Sequence, residues 1–123
     1  MQYMAAQSFS DLLVWRKAHS LVLVSYAESD GFPLTEQYGL TSQLRRAVVS
    51  VPANIVEGFK RQSDAEKIRF FNIAQASLEE TRYFILLAQD LRYTQNASWE
   101  PLAAEVARLL ASYKKSIERR LQR

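Results

Sequence analysis

Apolar residues recur every three or four positions along four stretches of the chain, which is the spacing of an amphipathic α-helix. The first stretch predicts a helix over 11–28, with Ser10 as its N-cap and Gly31 shortly after its end. The second predicts a helix over 35–59, and Gly39 weakens its start enough for the first turn to be separate. Both helices have wide apolar surfaces, which indicates that each contacts more than one neighbour.

The third and fourth stretches carry clearer start signals. Ser63 and Glu66 match a capping box, which predicts a third helix running from there to about Arg92. A fourth helix is expected to begin at Asn96 or Ser98 and to continue to the end of the chain. No stretch alternates in polarity as a strand does, and the connections are short. We therefore predict an all-α fold, an antiparallel up-and-down four-helix bundle.

The composition agrees with one helical domain. The chain has 123 residues, 48% of them hydrophobic, and we expect a single domain over 1–123 with a flexible N-terminus over 1–9. There is no cysteine, which excludes disulfides and thiolate metal sites. The chain also lacks a signal-peptide pattern and an apolar run near the ~20 residues of a membrane span. A cytoplasmic protein that does not enter a membrane is expected.

The predicted second helix has two faces with a proline between them. Its core face is aliphatic, whereas the opposite stripe is small and polar rather than a plain mixture of lysine and glutamate. Pro52 lies where the faces meet, and its ring is expected to bend the helix. The bend either only fits the helix around the core or presents the polar stripe to another subunit. The candidate oligomer interface consists of Gln43, Arg46, Ser50, Pro52, Asn54 and Glu57.

Charge is unevenly distributed along the chain. The net charge is +3, yet the segment from Arg108 to the end has six basic residues and one acidic residue, which makes +5. Such a segment can follow a phosphate backbone, or it can be a solvated helix end whose cations suit the helix dipole. The candidate nucleic-acid-binding residues are Arg16, Lys17, Arg45, Lys60, Arg61, Lys114, Lys115, Arg119 and Arg120. Trp15, Phe70, Phe71 and Phe84 lie on apolar stripes, so we expect them in the core rather than against bases.

No pattern of catalytic residues is present. His19 is the sole histidine, so neither a zinc site nor a catalytic triad is suggested, and we expect His19 to face solvent or an interface. The Glu-x-x-His pairs of di-iron bundles and the glycine-rich loops of nucleotide-binding proteins are also missing. We predict a protein that is not an enzyme and that uses no cofactor.

Several segments resemble one known family. They are FSDLLVWRKA at 9–18, Phe32-Pro33, YGLTSQLRRA at 38–47, SVPANIVEG at 50–58 and the spaced pattern within FFNIAQASLEET at 70–81. In this order and spacing, over residues 9 to about 92, they resemble the four-helix-bundle proteins of the 23S rRNA intervening-sequence family, sometimes labelled S23 ribosomal proteins. Ala76 stands where that family often has glycine, and Thr81-Arg82 follow Glu80 where leucine is commoner.

The resemblance implies a small bacterial protein whose reading frame can lie in an insertion within the large-subunit rRNA gene. It also implies a homopentamer, because relatives include the accessory protein of diversity-generating retroelements, a barrel-shaped pentamer that binds reverse transcriptase and nucleic acid. Nothing in this sequence indicates a reverse transcriptase nearby, so that role is not carried over.

Two functions remain open from the sequence. The first is a homo-oligomer that binds RNA, DNA or a nucleoprotein partner through basic surface. The second is an adaptor that binds another protein without touching nucleic acid. A metal- or ligand-binding bundle is disfavoured by the missing histidine and cysteine ligands.

Overall fold

A computed structural model describes residues 5–122, and within that range the chain forms four α-helices and no strand. A short 3-10 turn over Phe9–Asp11 precedes α1 (Leu13–Ser29), and a second one over Leu34–Glu36 precedes α2. The three remaining helices are α2 (Leu40–Lys60), α3 (Asp64–Asp90) and α4 (Trp99–Leu121). The predicted all-α fold is confirmed.

Contacts between helices show how the bundle is arranged. Each helix packs against its neighbours in the order α1, α2, α3, α4, and α1 also packs against α4, which closes the bundle. Ser50 of α2 contacts Ser77 of α3, and Gly58 further along α2 lies against Phe71, earlier in α3. Residue numbers therefore rise along one helix as they fall along the next, so these neighbours are antiparallel.

One buried cluster fills the space between the helices. It contains aliphatic residues from all four helices, together with Phe71 and Trp99, both fully shielded from solvent. Trp99 is the first residue of α4, and its indole Nε1 donates a hydrogen bond of 3.0 Å to Ser25 Oγ, which is also buried. This bond satisfies the polar end of the largest buried side chain and fixes α4 against α1.

The helix starts agree in part with the sequence. Ser63 caps α3 as predicted, since its Oγ accepts the Glu66 N–H at 3.2 Å, although the Glu66 carboxylate lies against Arg69 at 3.4 Å rather than reaching back to Ser63. The first turn before α2 is separate, as Gly39 suggested.

The predicted cap of the first helix is wrong. Ser10 lies inside the 3-10 turn, and the backbone N–H groups of Gln7 and Ser8 donate to the Asp11 carboxylate at 3.0 and 3.1 Å. Leu12 is extended (φ −83°, ψ 124°), which separates this turn from α1. Residues 1–4 of the N-terminus predicted to be flexible lie outside the described residues.

Pro52 does not interrupt its helix. The α2 helix continues through it from Leu40 to Lys60, and Pro52 is buried. Two residues further on, Asn54 Nδ2 donates to the Ser50 carbonyl at 2.8 Å and to Ser50 Oγ at 2.9 Å. A side-chain amide thus reinforces the turn that contains the proline.

The close contact between Gly58 of α2 and Phe71 of α3 provides a test of the packing. A Cβ added at Gly58 would lie 2.4 Å from Phe71 Cε1, and the Phe71 ring is fully buried, so it has no space into which to move. We expect Gly58→Ala to lower the free energy of unfolding by about 1–3 kcal/mol, measured by urea denaturation. Gly31→Ala is the control, because its Cβ would meet only a backbone oxygen at an ordinary 3.5 Å. Equal stability of the two variants would contradict this account of the packing.

Candidate nucleic-acid interface

The antiparallel topology gathers positive charge at one end of the bundle. The end of α2, the start of α3 and the end of α4 meet there. We define the basic end as residues 57–69 and 112–122, which hold eight basic and four acidic residues and a net charge of +4. Its basic residues are Lys60, Arg61, Lys67, Arg69, Lys114, Lys115, Arg119 and Arg120.

The other end of the bundle is acidic. We define the acidic end as residues 28–46 and 79–105, which hold eight acidic and four basic residues and a net charge of −4. The bundle is therefore an electric dipole, although the net charge of the whole chain is only +3. An anionic polymer is attracted to one end and repelled by the other.

Ion pairs fix some of the predicted basic residues in place. Arg120 makes two hydrogen bonds to the Asp64 carboxylate, at 2.9 and 3.2 Å, and joins the end of α4 to the start of α3. Arg61 pairs with Glu57 at 2.9 Å, and Lys17 pairs with Glu105 at 3.2 Å. These side chains are partly exposed, so the pairs contribute little stability.

Other predicted basic residues have no carboxylate partner among residues 5–122. Lys60, Lys115 and Arg119 are exposed and form none of the ion pairs described for the chain. Lys114 donates to the Gln75 amide oxygen at 3.0 Å, and Arg16 donates to two backbone carbonyls. These five keep an uncompensated charge near the protein surface.

A surface groove of about 380 Å³ borders the basic end. It runs between α3 and α4 and is lined by Gln75, Lys114, Lys115, Glu118 and Arg119, among others. Four of these five side chains come from the last turns of α4, where cations also suit the negative end of the helix dipole. The groove places three cations along a concave strip of surface.

Arg45 lies apart from the six predicted residues of the basic end. It is at the acidic end, where its guanidinium donates to Ser29 Oγ at 2.9 Å and to Asp30 at 2.8 Å. It also covers the ring of Tyr26, with Cζ 4.6 Å from the ring centroid. Because these bonds join the end of α1 to the start of α2, we leave Arg45 out of the basic surface.

Lys67 and Arg69 belong to the basic end but were not among the predicted residues. Lys67 Nζ donates to the carbonyls of Phe59 at 2.7 Å and Gly58 at 3.3 Å, which caps the end of α2. Burial lowers the pKa of Lys67, and the nearby charge of Arg120 lowers it further. The Ser63 cap, which sets the start of α3, was the sequence signal that could have placed both residues here.

The predicted interface residues lie along α2, and the middle of the set borders α3. Ser50 Oγ is 2.8 Å from Ser77 Oγ, and Asn54 in turn bonds to Ser50, so these polar groups join the two helices. Gln43, Arg46 and Glu57 are exposed. Pro52 is buried. It can therefore influence an interface through the shape of α2 and not through direct contact with another subunit.

Two loops are joined at the acidic end. Tyr93 Oη donates to Glu36 at 3.0 Å, and Thr94 and Asn96 donate to Glu28 at 2.5 and 3.2 Å. This network connects the loop before α4 to the loop before α2, through Glu36, and to the end of α1, through Glu28. The loop before α2 carries two large apolar side chains that are almost fully exposed, Leu34 at 84% and Tyr38 at 89%.

The Tyr93–Glu36 bond makes stability depend on pH. This hydrogen bond raises the pKa of Tyr93 above its ordinary value, and desolvation adds to the effect. A tyrosine whose pKa is raised on folding contributes stability that is present below about pH 10 and lost as the pH rises through the folded-state pKa.

We therefore expect wild type to be more stable than Tyr93→Phe below pH 10, with the difference shrinking above that pH. Urea denaturation at pH 7 to 11 measures it. Tyr83→Phe is the control, because its exposed hydroxyl bonds to no carboxylate among the described residues. A Tyr93→Phe difference that stays constant up to pH 11 would contradict the assignment.

Comparison with known proteins gives the family. Within residues 5–122, no helix has the length and apolarity needed to cross a membrane. No curated protein matches the chain. The model of one family, described as 23S rRNA-intervening sequence protein, matches residues 10–115, from the first 3-10 turn to the groove side of α4. Because this match covers most of the 123 residues, the chain belongs to the 23S rRNA-intervening sequence protein family.

Proposed function

We propose that the protein is a non-enzymatic homo-oligomer that binds nucleic acid through its basic end. The observation that carries this proposal is the separation of charge, +4 at one end of the bundle and −4 at the other. A fold alone has no need to collect cations on one end, since the same residues spread over all faces would satisfy solubility equally well. The description of the family names no enzymatic activity, which agrees with a binding role.

Assembly would multiply this charge. The predicted interface stripe runs along the length of α2, so neighbouring bundles would lie side by side. Rotational symmetry about an axis along the bundles would then place all basic ends on one face. Five subunits, the number that the family resemblance implies, would give that face a charge of about +20. A ring of this kind would bind a phosphate backbone far more tightly than one subunit does.

Exposed small and apolar side chains beside the predicted stripe support the proposed interface. Ala53, Ile73 and Ala76 are exposed on α2 and α3, beside the seam formed by Ser50, Ser77 and Asn54. Small side chains allow two backbones to approach closely, and the polar groups of the seam offer hydrogen bonds to a partner copy. Two of the six interface candidates, Ser50 and Asn54, thus border a surface of mixed polar and apolar character.

A second candidate function is supported by the acidic end. Leu34 and Tyr38 are almost fully exposed there, on a loop that is fixed by the Tyr93–Glu36 bond. An exposed apolar pair in acidic surroundings suits a basic segment of another protein. In this adaptor function, the protein would bind no nucleic acid, and Leu34→Ser/Tyr38→Ser would abolish its binding to the partner protein.

Salt dependence tests the first proposal. Lys115→Gln/Arg119→Gln removes two exposed cations of the basic end, and Arg92→Gln/Arg108→Gln removes the same charge elsewhere. We expect the first variant to weaken binding to a fluorescent oligonucleotide and to reduce the slope of log K against log salt by about one to two, since each phosphate contact contributes about 0.7–0.9. Anisotropy titrations with RNA and with DNA measure both quantities.

Two results of this titration count against the proposal. Binding that is weak and insensitive to salt for both nucleic acids favours the adaptor. Equal losses in the two variants would show that the net charge of the chain matters and that the basic end does not.

Light scattering tests the assembly. Asn54→Ala removes the side chain at the middle of the α2–α3 seam, and we expect it to reduce the molar mass of the oligomer. Asn72→Ala is the matched control, because Asn72 is exposed on α3 with no side-chain hydrogen bond described for it. Ala53→Glu adds a charge beside Asn54 and is expected to have the same effect as Asn54→Ala. An unchanged mass for both seam variants would remove the stripe from the interface.

A further inference from the structure

Two arginines of the basic end cover the same aromatic ring. The guanidinium carbon of Arg61 lies 4.6 Å from the centroid of the Phe70 ring, and that of Arg69 lies 5.4 Å from it. Phe70 was expected in the core, but it is only partly buried and lies outside the buried cluster. That expectation is wrong, because Phe70 lies beside the turn between α2 and α3, where the guanidinium groups of Arg61 and Arg69 cover its ring.

Short connections produce this arrangement. Arg61 is the C-cap of α2, and Asp64 begins α3 only three residues later. Phe70 stands next to the fully buried Phe71, so the helical turn that places Phe71 in the core directs Phe70 to the side of α3 that faces Arg61. Arg69 precedes Phe70 directly and reaches the same ring from its own helix.

Carboxylates hold both guanidinium groups at their edges. Arg61 donates to Glu57 at 2.9 Å, and Arg69 lies 3.4 Å from Glu66. A guanidinium group is planar, so a carboxylate bonded to its edge leaves available the face that is turned away from Phe70. The side chains remain 45% and 66% exposed to solvent. Each arginine therefore has a fixed position, a supporting aromatic ring and an accessible surface.

We propose that Arg61, Arg69 and Phe70 form a stacking platform for unpaired nucleobases. This proposal rests on the proposed function, since the lysines beside the platform would hold the phosphates of the same strand. Lys60 precedes Arg61 directly, and Lys67 lies one turn of α3 from Phe70. Bases stack on guanidinium planes and on aromatic rings with little regard to sequence.

The platform selects single strands. In a duplex each base is already stacked between its neighbours, so only a loop, bulge or single-stranded end offers a free face. The exposed cations of the groove lack this support, since no aromatic ring is described beneath Lys115 or Arg119, and Lys67, which lies 5.7 Å from the centroid of the Phe59 ring, has an ammonium group rather than a planar one. The basic end thus has two parts, a charged groove on α4 for backbone and a flat platform at the α2–α3 turn for bases.

The test is a double variant that keeps the positive charges of the platform but removes its planar guanidinium groups. Arg61→Lys/Arg69→Lys preserves the net charge of the basic end but replaces two planar groups by compact ammonium groups. The matched control, Arg92→Lys/Arg108→Lys, makes the same chemical change at two exposed arginines outside the basic end, for which no ring contact is described. All four positions are exposed, so folding should be unaffected; circular dichroism checks this.

Four fluorescent probes of equal length are titrated against each protein. They are a single-stranded RNA, the DNA of the same sequence, the RNA duplex and a strand without bases. We expect Arg61→Lys/Arg69→Lys to weaken binding to the single strands about fivefold or more, because stacking contributes that much per base. Binding to the duplex and to the strand without bases should stay within about twofold of wild type. Comparison of the RNA and DNA strands identifies which sugar the platform accepts.

The outcomes distinguish failure of the platform from failure of the proposed nucleic-acid-binding function. If the two lysine variants lose equal affinity, or neither loses any, the platform is wrong, and salt-dependent binding of wild type still supports the basic end. If wild type binds none of the probes in a salt-dependent manner, both proposals fail. The platform is supported if Arg61→Lys/Arg69→Lys loses affinity for the single-stranded RNA and DNA but not for the duplex or for the strand without bases.

Discussion

The contact between Gly58 and the Phe71 ring determines how α2 and α3 meet at the basic end. The ring occupies the space in which a side chain at position 58 would lie, so α2 and α3 approach closely at the point where one ends and the other begins. That approach allows the turn between them to be only three residues long. Because the turn is short, the last side chains of α2 and the first of α3 must share one small surface. The stacked arginines, the Lys67 cap and the Arg120–Asp64 bridge all depend on it.

Sequence patterns predicted the elements of this fold better than the surface they produce. Apolar spacing gave four helices, and the Ser63 cap placed α3 correctly. The cap at Ser10 was wrong because an extended residue, Leu12, separates an additional 3-10 turn from α1, and helical periodicity does not detect such a break. Trp99 was not named as a core residue, although it stands three positions before Leu102 and extends the apolar stripe of α4; it belongs to the buried cluster, and its indole bonds to Ser25.

The charge separation was visible only after the helices were arranged. Read along the chain, the excess of positive charge lies in the C-terminal segment, whereas the cations of α2 and α3 are mixed with acids. Antiparallel packing brings these separate segments to one end, and it sends Arg45 to the other, where Asp30 and Ser29 bind it. Phe70 was misassigned for a related reason: a stripe of apolar residues does not show which of its members the core leaves at the edge.

The polar stripe of α2 and the stacking platform are linked through one residue, Glu57. Glu57 belongs to the candidate subunit interface, and it is also the residue whose carboxylate holds the Arg61 guanidinium at the edge of Phe70. An interface along α2 therefore ends where the platform begins, so side-by-side assembly would leave the tip of each bundle uncovered. In such an arrangement the neighbouring copy would approach Glu57 while the faces of Arg61 and Arg69 stay open to solvent. Assembly and nucleic-acid binding then use adjoining surfaces of the same helix without competing for them, because the seam runs along the bundle and the cations lie at its end.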